Sequence, residues 1–227
     1  MSRRARLGGV LVILMAAGLV TAPVAAGSDH RPSRRMVALT FDDGPDPRWT
    51  PAVLQALARY RDSATFFDVG RRALAHPDLV AEELRQGMKV EDHTYTHPHL
   101  TAITSAGVRS ELAAGSAALM HLGVPQPLEF RPPFGDWDER VEDVGRAMGY
   151  RMVLWDVCLE HYVHRYGVRA GVERLVAAVR PGSIILAHDG GIPNRGRTLL
   201  ALPLLLRRLH AAGYRVVDAS TLIAAGR

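Results

Sequence analysis

The stretch Met36-Val37-Ala38-Leu39-Thr40-Phe41, followed by Asp42-Asp43-Gly44-Pro45, decides how this chain is read. An apolar, β-tending run stops at a turn sequence, which predicts a strand over 36–41 that delivers two carboxylates at its C-terminal end. Immediately downstream, 51–60 has helical spacing at Val53, Leu54 and Leu57, and 64–67 predicts a second strand ahead of a Val69-Gly70 turn. The pattern then repeats. Helices over 79–86, 108–122, 141–148, 171–179 and 199–212 alternate with strands at 89–90, 128–131, 151–155, 183–187 and 215–218. Such alternation predicts an α/β fold with a parallel sheet, open or closed into a barrel. Both architectures gather ligand sites at the C-terminal strand ends.

The start of the 227-residue chain reads as an address. Arg3, Arg4 and Arg6 precede an apolar run over 7–20, and small residues follow through Val24, Ala25 and Ala26. That run is shorter than the roughly 20 apolar residues a spanning helix needs, so 1–26 is expected to be a secretory signal peptide cleaved after Ala26, with a retained anchor as the alternative. Either way the remainder faces outside. Ser2-Arg3-Arg4 hints at twin-arginine export, but Arg6 interrupts the pattern. Residues 27–35 are a short lead-in, and 36–227 form one domain with a core of its own. The formal charge of +5 falls to +2 without the three arginines of the signal. No basic run is flanked by aromatics, which argues against a nucleic-acid partner. The single cysteine, Cys158, excludes an internal disulfide.

Asp42-Asp43 is open to two readings, a metal ligand beside a general base or a solvated turn. His93-Thr94-Tyr95-Thr96-His97 puts two imidazoles four residues apart, the spacing of one helical turn. Two histidines and a carboxylate can make a facial triad that leaves positions for water and substrate. Further strands end in Arg131-Pro132-Pro133-Phe134-Gly135 and in Leu186-Ala187-His188-Asp189. An arginine can fork onto a carboxylate, prolines can stiffen a peptide N–H into an oxyanion donor, and a third histidine can serve as general acid.

Together, Thr40-Phe41-Asp42-Asp43-Gly44-Pro45, His93-Thr94-Tyr95-Thr96-His97, Arg131-Pro132-Pro133-Phe134-Gly135 and Leu186-Ala187-His188 resemble, in order, the motifs of NodB-type polysaccharide deacetylases, carbohydrate esterase family four. The resemblance extends over 36–222. It implies a distorted (β/α) barrel of about seven parallel strands, with Asp43, His93 and His97 binding Zn²⁺ or a similar divalent ion such as Co²⁺. It further implies Asp42 as the base that activates water, Arg131 as its partner, the Phe134 backbone N–H as oxyanion donor and His188 as general acid. The implied substrate is an N-acetylated glycan of peptidoglycan or chitin type, met in the cell envelope by a secreted monomer. O-Deacetylation, or glycan binding with weakened catalysis, are the alternatives.

The match departs from the family at Cys158-Leu159-Glu160-His161-Tyr162, where Asp-x-x-Asp-Trp is usual. Asp156 or Glu160 is the candidate to compensate. Phe134 stands for the commoner tyrosine, and Glu91 alters the approach to His93. Cys158 reads as a buried small residue sooner than as a nucleophile. His161 and His164 are candidate extra ligands, set against a plain surface role. Pro133, Trp137 and Tyr162 are candidate substrate contacts, the two aromatics as a sugar-stacking wall or as core packing. The polar loop 190–197 is expected to be flexible and to meet the polymer.

Overall fold

The computed structural model describes residues 35–192 and 194–226; the expected signal peptide and all of the lead-in except Arg35 lie outside them. In chain order the elements are β1 (Met36–Gly44), α1 (Thr50–Tyr60), β2 (Thr65–Asp68), α2 (Gly70–Ala75), α3 (Pro77–Arg85), β3 (Lys89–Asp92), α4 (Ser105–His121), β4 (Glu129–Phe130), α5 (Glu139–Ala147), β5 (Arg151–Met152), β6 (Val157–Cys158), α6 (Leu159–Tyr166), α7 (Val168–Ala178), β7 (Ile184–His188), α8 (Gly196–Ala211), β8 (Arg215–Val217) and α9 (Ala219–Ala224). Every strand read from the sequence is present. The segments β6, α2, α6 and α9 are additional, and they are too short to establish an apolar period. Among the described residues, no helix is long and apolar enough to cross a membrane.

All strand pairs are parallel. The order is β5-β4-β3-β2-β1-β7-β6, with β8 paired to the N-terminal residues of β1. The terminal strands β5 and β6 are joined through residues 153–156 alone, so the sheet curls into a half-barrel. This is the distorted barrel expected, with seven strands on the path and β8 beside them.

Side chains alternate across a strand, and β1 applies this rule to two cores. Val37, Leu39 and Phe41 pack outward on Leu54 and Leu57 of α1, Leu175 of α7, and Leu205 and Leu209 of α8. Met36 and Ala38 face the other way, toward Phe67, Val153, Ile184 and Val217. Each such fully buried Leu or Phe contributes about 1.5–3 kcal/mol. Thr40 and Asp42 continue the inner row, so the barrel interior turns polar toward its C-terminal end. β1 also runs past the expected stop at Phe41, because Asp42 still pairs with Phe67 of β2 and His188 of β7. Strict alternation would send Asp43 outward. Instead its φ of 71° and the register slip between Asp42 and Gly44 form a bulge that turns both carboxylates to one end.

Candidate functional site

The site begins where β3 ends. The backbone N–H of His93 donates to the Asp68 carbonyl, continuing the β2–β3 ladder one step past β3. The segment 93–97 then forms a tight loop, not the helical turn its spacing suggests: Thr94 and His97 have φ of 66° and 67°. Asp92 accepts from the Thr94 N–H at 2.8 Å and from the Tyr150 hydroxyl at 2.9 Å, while Glu111 of α4 accepts from the N–H groups of Tyr95 and Thr96. The adjacent Asp92 and the remote Glu111 supply the hydrogen bonds a helix would have made internally. The two imidazoles meet edge to face, with centroids 4.9 Å apart. Glu91 is turned away from them and accepts from the N–H groups of Leu128 and Glu129.

Asp43, His93 and His97 each offer one donor atom, and these atoms lie within 4.8 Å of one another. Asp43 Oδ1 is 2.8 Å from His97 Nε2 and 3.6 Å from His93 Nε2. His93 Nδ1 lies 2.8 Å from the Arg131 carbonyl. Donation there fixes the tautomer that presents a lone pair on Nε2, as a metal ligand requires. One carboxylate and two imidazoles form a donor set suited to zinc and similar divalent ions, so the residues fit the ion the resemblance implies. Burial opposes ionisation of Asp43, but the two histidines outweigh it and hold its carboxyl far below the usual range.

Asp42 is fastened from inside the barrel. Arg131, fully buried, donates to Asp42 Oδ1 at 2.6 Å, to Thr40 Oγ1 at 2.8 Å and to the Val153 carbonyl at 2.9 Å. Its guanidinium lies over Phe67, 4.2 Å from the ring centroid, and 5.6 Å from that of Trp155. A buried cation needs partners of this kind, and Asp42 is the charged one. Asp42 Oδ2, on the other side, is 3.8 Å from His93 Nε2.

His188 ends β7 opposite Asp42. Glu160 of α6 approaches its Nδ1 at 3.3 Å, accepts from its backbone N–H at 3.0 Å and also accepts from the Thr198 hydroxyl at 2.8 Å. Burial disfavours the imidazolium, yet Glu160 outweighs burial and the His188 pKa is raised. Burial likewise opposes the Glu160 carboxylate, and His188 outweighs it, so that pKa is lowered. Of the two acids considered for compensation, Glu160 is the one beside His188; Asp156 instead accepts from the Ile184 N–H at 2.7 Å.

Phe134 lies in a 3₁₀ turn, Pro133–Gly135, with φ of 62°, and its exposed ring stacks on His99 at 4.1 Å and meets His97 edge-on at 4.6 Å. Pro133 is buried and Trp137 is exposed two residues beyond the turn. Tyr162 is not brought to this cluster: it packs against the outer core on α6, with its ring against His161 and Tyr166. His161 and His164 are exposed on the same helix, because a helix that buries Leu159, Glu160 and Val163 turns them outward. Cys158 is half-buried; its thiol donates to Glu160, and burial together with that carboxylate pushes it up to about 12.

The loop 190–197 holds what the sequence reading missed. Arg195 is buried and its guanidinium is 3.1 Å from Asp43 Oδ2. The only local signal was the Gly190-Gly191 pair: a Cβ on Gly190 would lie 2.1 Å from the Asp43 carbonyl oxygen, and one on Gly191 2.1 Å from Asp43 Oδ2. The loop expected to meet polymer thus closes onto Asp43.

A family model described as polysaccharide deacetylase matches residues 29–153. The peptidoglycan-N-acetylglucosamine deacetylase of Bacillus cereus is 36% identical over 195 residues, covering 84% of this chain and 89% of that protein. A chitooligosaccharide deacetylase of Sinorhizobium fredii is 39% identical over 188 residues, covering 78% and 87%. Among solved structures, a family 4 carbohydrate esterase from Streptomyces lividans, in complex with acetate, superposes with a TM-score of 0.73 at 34% identity, covering 80% of this chain and 91% of that one.

Proposed function

Because the chain belongs to the polysaccharide deacetylase family, we propose that it hydrolyses the N-acetyl groups of a peptidoglycan- or chitin-type glycan at the cluster formed by Asp42, Asp43, His93, His97, Arg131 and His188. The observation that carries this reading is the arrangement of a three-donor set, an Arg131-paired carboxylate at 2.6 Å and a Glu160-paired imidazole at 3.3 Å around one strand end. Asp43, His93 and His97 would hold a divalent ion, which would supply Lewis acidity toward water and the acetyl carbonyl.

Asp42 takes the proton of the attacking water. Arg131 holds one oxygen of this base at 2.6 Å and leaves the other directed toward His93. As the water oxygen bonds to the acetyl carbon, charge grows on the carbonyl oxygen, and the Phe134 N–H is the backbone donor assigned to it. His188, whose pKa Glu160 raises against burial, gives its proton to the sugar nitrogen as the C–N bond breaks, leaving acetate and a free amine. Trp137 and the Phe134 ring, both exposed, are the proposed glycan contacts, with the buried Pro133 supporting the turn beneath Phe134. An envelope or exterior location is supported by the three arginines ahead of the apolar run over 7–20.

The test is acetate release from N-acetylglucosamine oligomers and peptidoglycan by protein stripped of metal and reloaded with Zn²⁺ or Co²⁺. The expected result is release restored by the ion and lost in Asp42→Ala. Metal-replete protein that binds glycan and releases no acetate from N- or O-acetylated sugars would overturn the reading in favour of a binding protein.

A further inference from the structure

The proposed metal ligand Asp43 is gripped from several sides. Its two carboxylate oxygens are divided: Oδ1 lies 2.8 Å from His97 Nε2, and Oδ2 lies 3.1 Å from the Arg195 guanidinium. Arg195 is held in turn, its Nε–H donating to the Gly190 carbonyl at 2.6 Å and its side chain 8% exposed. Gly190 and Gly191 pack so closely on Asp43 that neither position admits a side chain. From α2, Arg72 donates to the Asp43 carbonyl. Asp43 itself sits at φ 71°, a conformation costly for a residue with a Cβ and kept only where surroundings over-determine it.

Resting on the metal-centre reading above, we propose that Arg195 is a positioning residue that holds Asp43 as a one-oxygen ligand. A carboxylate with both oxygens free can close onto an ion with two. With Oδ2 engaged by a cation that cannot be deprotonated, Asp43 has only Oδ1 to offer, and a coordination position stays open for substrate. The same residue ties the loop after His188 to the loop carrying the ligands, so the acid and the metal donors are referenced to one another.

The test uses the full mature protein and its Arg195→Gln and Arg195→Lys variants, loaded with one equivalent of Co²⁺. The Gln variant frees Oδ2, so its visible absorption should weaken and shift as coordination number rises, while kcat falls about 10- to 100-fold with KM little changed. Lys, which keeps the charge on one donor, should recover part of both. An unchanged Co²⁺ spectrum in folded Gln variant, with wild-type kcat, overturns the proposal and leaves the metal reading standing. If the Gln variant fails to fold, the Lys variant decides by the same spectrum. Wild-type protein that takes up no more Co²⁺ than Asp43→Ala sinks the metal reading and this proposal with it.

Discussion

Replacing Glu160 with glutamine isolates its charge, because the amide keeps an oxygen to accept from the His188 and Thr198 donors at 3.0 and 2.8 Å. Unit charges at the observed 3.3 Å interact by about 5 kcal/mol at an effective dielectric near 20. Desolvation of both partners offsets much of this, since the His188 and Glu160 side chains are only 22% and 9% exposed. The net loss is therefore well below that gross figure, and it lowers the pKa of His188. The sign follows from the acid's role. A carboxylate neighbour keeps the imidazole protonated to higher pH, so its removal moves the alkaline limb of the pH–rate profile to lower pH. The assay is acetate release from an N-acetylglucosamine oligomer between pH 5 and 10, with kcat and kcat/KM fitted separately. Thr198→Val, which removes one hydrogen bond to Glu160 and leaves its charge in place, should move the limb much less. A Glu160→Gln enzyme whose alkaline limb coincides with wild type would refute the assignment of Glu160 as the counter-ion of His188.

Arg131→Met should destabilise the protein by about 3–5 kcal/mol in urea unfolding, because it leaves the Asp42 carboxylate buried without its cation; a loss under about 1 kcal/mol would contradict the pairing. Burial lifts Asp68, Glu91 and Asp92 to about 7. Carboxyls raised in the folded state add stability that is fully present below about pH 4 and lost as pH rises through 7. The melting temperature should therefore fall between pH 5 and pH 8. Glu83→Gln, at a fully buried acid whose pKa burial and the neighbouring Asp68 carboxylate raise, should reduce that fall. With its thiol pushed up to about 12, Cys158 should react with a disulfide reagent at pH 8 about 100 to 1000 times more slowly in native than in unfolded protein, and comparable rates would exclude the Glu160 contact.

The order of strands and helices was legible in the sequence because each long element carries its own period, and residues such as Leu54 and Leu57 declare a buried face without knowing what covers it. The donor types were legible too: carboxylates, imidazoles, an arginine and a histidine each follow a strand, and strands of a parallel sheet end together. What required the tertiary structure were pairings between distant segments. The His93–His97 spacing suggested a helix, but Glu111, a residue 16 positions away from Tyr95, supports a loop instead. Glu160 meets His188 across 28 positions, and Arg195 meets Asp43 across 152. Such contacts depend on which strands become neighbours and in what register, here β7 beside β1 with Asp42 opposite His188. No local period encodes that register. It follows from burying the outer row of β1 under α1, α7 and α8 while the inner row closes around Arg131.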